Sequence, residues 1–296
     1  GLRNIPLTVT PIAPAAGVKL TDGQLSYKAS VSFKPVDSTT IYATLSTGFR
    51  SPVVNANAGR VSLVNPNDIV IPGGADSDDL TNYEIGVKGS WLDGRLSAAL
   101  AAYYIDWKNI QVQVNRTSDQ LQFATNIGAA VSKGIEFEVA LRPVTGLSLT
   151  ANGSINDAKI TELTAAEAAI SGALDGLQLS GPKFQGSATA RYDFPIGASS
   201  DAFVSGTVQH VGSFPGLFPN LPGNPNARNP TFDFTDSYEV VNLLAGASFG
   251  AAKVTAYVEN LLDSKAITYV HPEAFLDSRY ARLRPRTFGV RIGYDF

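Results

Sequence analysis

"RPRTFGVRIGYDF", residues 284–296, closes the chain and decides how the rest of it is read. Phe288, Val290, Ile292, Tyr294 and Phe296 occupy alternate positions; Thr287, Gly289, Arg291, Gly293 and Asp295 fill those between. Side chains of an extended strand alternate between faces, so one face here is apolar and the other is small or polar. Chain ends are usually polar and frayed. An apolar face that continues to the last residue needs something to cover it.

The same alternation recurs upstream in residues 25–33, 82–91, 131–141, 147–155, 184–194 and 253–262. It is looser in 41–49, 96–107, 201–212 and 238–249. Together these segments predict about eleven strands, most near ten residues, where ordinary strands average five or six. Short turns fall at 34–38, 92–94, 142–146, 195–200 and 250–252, and long polar loops at 50–79, 108–128, 157–182, 213–236 and 263–283. Loops of that length are uncommon in a compact domain. Strict alternation of short and long connections instead makes successive hairpins with every long loop at one end, as outer-membrane barrels are built. "TELTAAEAAISGAL", residues 161–174, predicts a helix inside one of those outer loops. Trp91, Trp107, Tyr103, Tyr104, Phe194, Phe249 and Phe296 lie near strand ends, where aromatic girdles meet the membrane interfaces.

A net charge of −3 and 44% hydrophobic residues fit neither a nucleic-acid binder nor a disordered chain. With no cysteine, disulfides and thiolate metal sites are excluded. No stretch approaches the roughly 18 apolar residues of a membrane helix, whereas a barrel strand needs only about ten alternating ones. A soluble β-sandwich also alternates; strand length, small residues on both faces and one-sided loops favour the membrane barrel. There is no Met and no basic-then-apolar leader, so Gly1 is expected to be a cleavage or truncation point.

"YATLSTGFRSP" (42–52), "LTNYEIGVKGSWLDGRLSAALAAYYIDWKNIQV" (80–112), "SKGIEFEV" (132–139) and "VENLLD" (258–263), followed by the closing stretch, resemble the C-terminal barrel region of TonB-dependent outer-membrane receptors. The resemblance runs through nearly the whole chain in the family's order. It implies an all-β, antiparallel transmembrane barrel with long extracellular loops, of which this chain holds about half of 22 strands. Residues 1–23 would end an extracellular loop, residues 24–296 would form the C-terminal part of the barrel, and an N-terminal plug would lie outside the chain. An open sheet is therefore expected, with no pairing between residues 25–33 and 284–296. The implied function is import of a scarce nutrient across the Gram-negative outer membrane, with a ferric siderophore or similar iron complex as the substrate class. Implied partners are the lipid bilayer, the TonB complex through the absent N-terminal region, and the barrel-assembly machinery. That machinery would read Phe288, Val290, Ile292, Tyr294 and Phe296. The competing function is a passive diffusion channel or structural barrel without energy coupling.

Chemistry elsewhere is sparse. "GASFG" (246–250) matches G-x-S-x-G, but a nucleophile elbow needs a strand-to-helix turn, which this context does not predict. No catalytic residue, cofactor or metal site is expected. Asp76, Asp78 and Asp79 crowd one loop without the spacing of a calcium motif. His210 is expected at the membrane interface. By residue type and place, Arg50, Phe214, Phe218, Tyr269, His271 and Arg279 are the candidate ligand contacts in the outer loops, since aromatics and Arg dominate binding hot spots.

Overall fold

A strand that crosses hydrocarbon must have its backbone N–H and C=O groups paired by other strands, because no water is there to bond them. The computed structural model describes residues 20, 23–216, 218–271 and 279–295. It shows such pairing along eleven strands. They are β1 (Lys28–Val36), β2 (Thr39–Arg50), β3 (Asp78–Trp91), β4 (Leu96–Asn115), β5 (Gln122–Leu141) and β6 (Leu147–Glu162), then β7 (Phe184–Pro195), β8 (Ser200–Val211), β9 (Tyr238–Phe249), β10 (Ala252–Glu259) and β11 (Thr287–Tyr294). Each pairs antiparallel with its neighbours in sequence, so the sheet is a meander in chain order. β1 and β11 are its edges and, among the described residues, do not pair with each other, as a partial barrel requires. Eleven strands are half of the 22 that enclose a plugged lumen. Phe296 lies outside the described residues, as does most of 1–23.

Register fixes the faces. Val31, Ala43, Ile85, Ala102, Ile135 and Ile155 stand side by side across six strands. One residue along, Ser32, Tyr42, Gly86, Ala101, Glu136 and Ser154 stand side by side on the opposite face. At the other edge Leu243, Val258 and Phe288 share the apolar face, while Leu244, Tyr257 and Gly289 share its reverse. Val31, Ile85 and Phe288 remain 68%, 59% and 74% exposed, far more than any water-soluble core permits. Those side chains face lipid. The other face looks into the lumen.

The lumen face repeats one local arrangement. Tyr42 lies over Gly86, its direct cross-strand partner, and Tyr257 lies over Gly289 in the same relation. A Cβ at Gly86 would come within 2.5 Å of the Tyr42 ring, so only glycine lets the ring lie flat. Lys88 and Arg291 then sit above the two rings, at 5.8 and 6.0 Å from their centroids. Phe203 over Gly246, with Arg191 at 3.8 Å, repeats the arrangement. Rings laid along the wall cover backbone that glycine would leave bare, and cations over their faces add cation–π attraction.

Three strands run further than the sequence segments indicated. β4 and β5 continue through much of the expected loop 108–128 to meet near a tip at 115–122, and β6 extends to Glu162. The expected helix is short: α1 (Ala165–Ser171). Thr164 caps it through a capping box with Glu167, and Gly172, at φ 76°, ends it in the left-handed region.

Lysine placed at Leu100, on the lipid face of β4, should cost about 2–4 kcal/mol when the protein is unfolded from bilayers. Lysine at Asn152, on the lumen face of β6, should change stability by about 1 kcal/mol or less. Equal costs at both sites would contradict the assignment of faces.

Candidate functional site

The described buried apolar residues gather at the long-loop end rather than between the faces of the sheet. Trp107, Ala130 and Ile160 carry the lumen-side parity of β4, β5 and β6 past the membrane band. Ile110, Ile127, Ala130, Ile160 and Ala173 form one buried cluster, with Trp107, Leu163 and Phe218 packed against it. A second cluster, Ile71, Val114 and Phe123, joins loop 50–78 to the hairpin of β4 and β5. The outer loops therefore fold into a layer with its own core.

Polar side chains lock that layer. Asn55 donates from Nδ2 to the Ala124 carbonyl at 2.8 Å and accepts from the Ala124 N–H at 2.7 Å, completing a backbone-like pair. Arg116 is fully buried. It donates from Nε and Nη2 to the two Asp119 oxygens at 2.9 and 2.6 Å, and from Nη1 to the Arg60 and Ile69 carbonyls at 2.7 and 2.8 Å. Hydrogen bonds from Arg116 hold the Asp119 carboxyl below the usual carboxylate range. Asp68 accepts from the Ser118 N–H, and Thr117 donates to the Pro222 carbonyl, so loop 213–236 is tied to the same tip.

The six candidate contacts separate into two groups. Arg50 binds both oxygens of buried Asp78, which also accepts from Trp107 Nε1 at 3.0 Å. The Arg50 guanidinium lies 5.0 Å from the Trp107 ring centroid. Phe218 packs on the first buried cluster, and the Phe214 backbone is fixed to Thr235. Arg50 and Phe218 hold loops together, and Phe214 closes its own loop through its backbone. The other three share one hairpin, residues 267–270 against 280–282. Tyr269 is half exposed and meets the His271 ring edge-on at 5.9 Å, while the His271 N–H donates to the Arg279 carbonyl. This hairpin docks on loop 213–236 through Tyr280, whose hydroxyl donates to Asp233, and through Asp236, which accepts from the Ile267 N–H. Phe232 and Phe234, edge-on at 5.4 Å, add a ring pair to that loop which the sequence alone did not single out.

Other candidates are accounted for by the fold. Ser248 of "GASFG" lies inside β9, opposite Asp201 and Lys253, and the chain turns at Gly250 into another strand. His210 sits on the outward face at the loop end of β8, 2.8 Å from Glu239 and beside the Phe184 ring. Among the described residues no group of three His, Asp or Glu side chains converges as a metal site.

Comparison with known proteins adds a family. A family model described as TonB dependent receptor-like, beta-barrel, matches residues 6–261. Over 128 residues the chain is 28% identical to the probable TonB-dependent siderophore receptor PiuA of Acinetobacter baumannii, covering 43% of this chain and 16% of that one. The solved ferric yersiniabactin uptake receptor FyuA of Yersinia pestis superposes with a TM-score of 0.67 at 17% identity, covering 92% of this chain and 37% of FyuA. The ferric-catecholate import receptor Fiu of E. coli gives 0.66 at 19% identity, covering 97% of this chain and 38% of Fiu. The chain thus spans little more than a third of either solved receptor.

Asparagine at Asp119 should leave the buried Arg116 charge uncompensated and loosen the loop layer by about 3 kcal/mol. Hydrogen exchange in residues 50–78 and 110–127 would then quicken, with the membrane strands unchanged. Because the Asp119 pKa is lowered, its contribution is present above the ordinary carboxylate pKa of about 3.9 and fades only as pH falls through the depressed value. Unchanged exchange in the asparagine variant would contradict this role.

Proposed function

The chain belongs to the TonB-dependent receptor family of Gram-negative outer-membrane β-barrels, and from that premise we propose that it forms the C-terminal part of the barrel of an energy-coupled importer. The observation that carries this is the lumen wall. Lys88, Glu136, Glu138, Arg191 and Arg291 line it with both signs of charge, on a sheet too wide to fill its interior with its own side chains. Such a wall is suited to hydrogen-bonding a globular plug. The substrate proposed is a ferric siderophore or similar iron complex, the class named for FyuA and Fiu.

Within the outer loops, Tyr269, His271 and Arg279 are the proposed ligand contacts. They share a hairpin held by neighbouring loops while Tyr269 keeps an open face. Phe214 would support them from loop 213–236. Arg50 and Phe218 act in this proposal by fixing the loops. The proposed partners are the TonB complex through a region outside this chain and, through β11 and Phe296, the barrel-assembly machinery.

The test is uptake of iron complexes by cells whose only copy of the full-length receptor carries this chain. Uptake should cease when the inner-membrane energy supply is collapsed, and Tyr269→Ala with Arg279→Ala should weaken ligand binding roughly ten-fold or more, at hot-spot scale. Uptake that continues without energy would favour the passive channel.

A further inference from the structure

The hairpin of β4 and β5 bends as it leaves the membrane band. At Asn109 the backbone enters the left-handed region, φ 53°, which interrupts the regular pleat. Across the ladder stands Gly128, where a Cβ would come within 1.7 Å of the Glu162 carbonyl oxygen. Beyond this point the faces exchange. Ile110 and Ile127 carry the outward parity of Lys108 and Ala129, yet they pack with Ala130 and Ile160 of the lumen face. Ala173, Leu177 and Phe218 join that cluster, so loops 157–182 and 213–236 also lie over the lumen side of β4–β6. The bend is held from both sides. Asn109 Nδ2 donates to the Ser77 carbonyl and Asn126 Nδ2 to the Asn109 carbonyl, each at 2.8 Å.

The loops above the bend are tied in a ring. Loop 50–78 meets the hairpin tip where Arg116 donates to the Arg60 and Ile69 carbonyls, and again at Ser62 and Ser118, whose hydroxyls are 2.7 Å apart. The tip meets loop 213–236 where Thr117 donates to the Pro222 carbonyl at 2.7 Å. That loop meets α1 and its C-cap. The Gly223 N–H donates to the Ala169 carbonyl at 2.7 Å, and the Asn220 N–H to the Gly172 carbonyl at 3.1 Å. α1 returns to β5 through Glu167, which accepts from the Gly128 N–H at 3.0 Å. Moving any one of these loops breaks bonds to two others. Segments that open in a working cycle come from the least stable parts of a fold, with few buried contacts. This layer has a buried core, a fully buried arginine and a clamped bend.

We propose that residues 50–78, 108–128, 157–182 and 213–236 form a fixed roof that seals the lumen wall of β4–β6 from outside and stays shut during import. Cargo then enters beside the roof rather than through it. The Arg116–Asp119 pair is its latch. The seal follows from the packing alone; only its staying shut during import rests on the importer reading.

The test is thiol labelling in cells making the protein with A130C as its one reactive thiol, since Ala130 is 1% exposed beneath the roof. A membrane-impermeant maleimide should label it slowly, and D119N should speed labelling about ten-fold or more by releasing the latch. Labelling should proceed at the same rate while the cells import ferric catecholate or ferric hydroxamate complexes. If D119N does not insert, S62C/S118C carries the test. This chain has no cysteine of its own, and uptake should be equal with that tether oxidised and reduced. Rapid labelling of A130C beneath the native latch would overturn the seal. Faster labelling during uptake, or uptake lost on oxidation and restored on reduction, would overturn the fixed roof. Absence of energy-dependent uptake of either complex would count against the importer reading, with labelling at rest still deciding the seal.

Discussion

The structure depends on one constraint: in hydrocarbon, a peptide group without a partner costs several kcal/mol, so strands must be paired on both sides along their whole length. A meander of neighbouring hairpins meets that demand with the shortest connections available, and β1 to β11 follow it without a crossover. The same constraint makes β1 and β11 consequential. Each presents a row of backbone groups that neither water-soluble nor membrane proteins leave open for long. This chain aligns with little more than a third of the solved receptors that share its fold, so its edges belong in the context of a longer barrel.

Pairing dictates the backbone but not what fills the two faces. Outside, hydrocarbon does the covering, so Ile85, Ile135 and Ile155 stand exposed without penalty. Inside, flat rings over Gly86 and Gly289 with cations above them give a wall that is neither greasy nor fully hydrated. The ordinary protein core is displaced to the loops. Ile110, Ile127 and Ile160 pack there, around the buried Arg116 clamp, where water is available to drive hydrophobic burial. The loop layer is thus stabilised by a different force from the sheet it stands on, and can be loosened without disturbing the strands below.

Much of this was legible beforehand because lipid-facing strands carry the plainest period-two signal. The eleven strands, the short turns and the side of the long loops all came from alternation and punctuation. The misplaced boundary in 108–128 was legible too: Ile110, Val112 and Val114 alternate with Gln111 and Gln113, and the polarity of the intervening residues masked the continued strand. The site was less readable. Arg50 and Phe218 have the residue types of ligand contacts, yet Asp78 and the Ile110–Ile127 cluster claim them, and nothing local in the sequence announces a partner 28 residues away. Arg116 had no signal at all. Its burial arises from loops that meet only in three dimensions.

The account stands or falls on which side of the sheet meets lipid. Spin labels placed singly from residue 287 to 294 in the full-length, membrane-inserted receptor would report collisions with lipid-soluble oxygen and with a water-soluble nickel complex. Labels at 288, 290 and 292 should meet oxygen, and those at 287, 289 and 291 should not, in strict alternation. A uniform profile, or one of opposite phase, would contradict the assignment of this strand and of every strand paired to it.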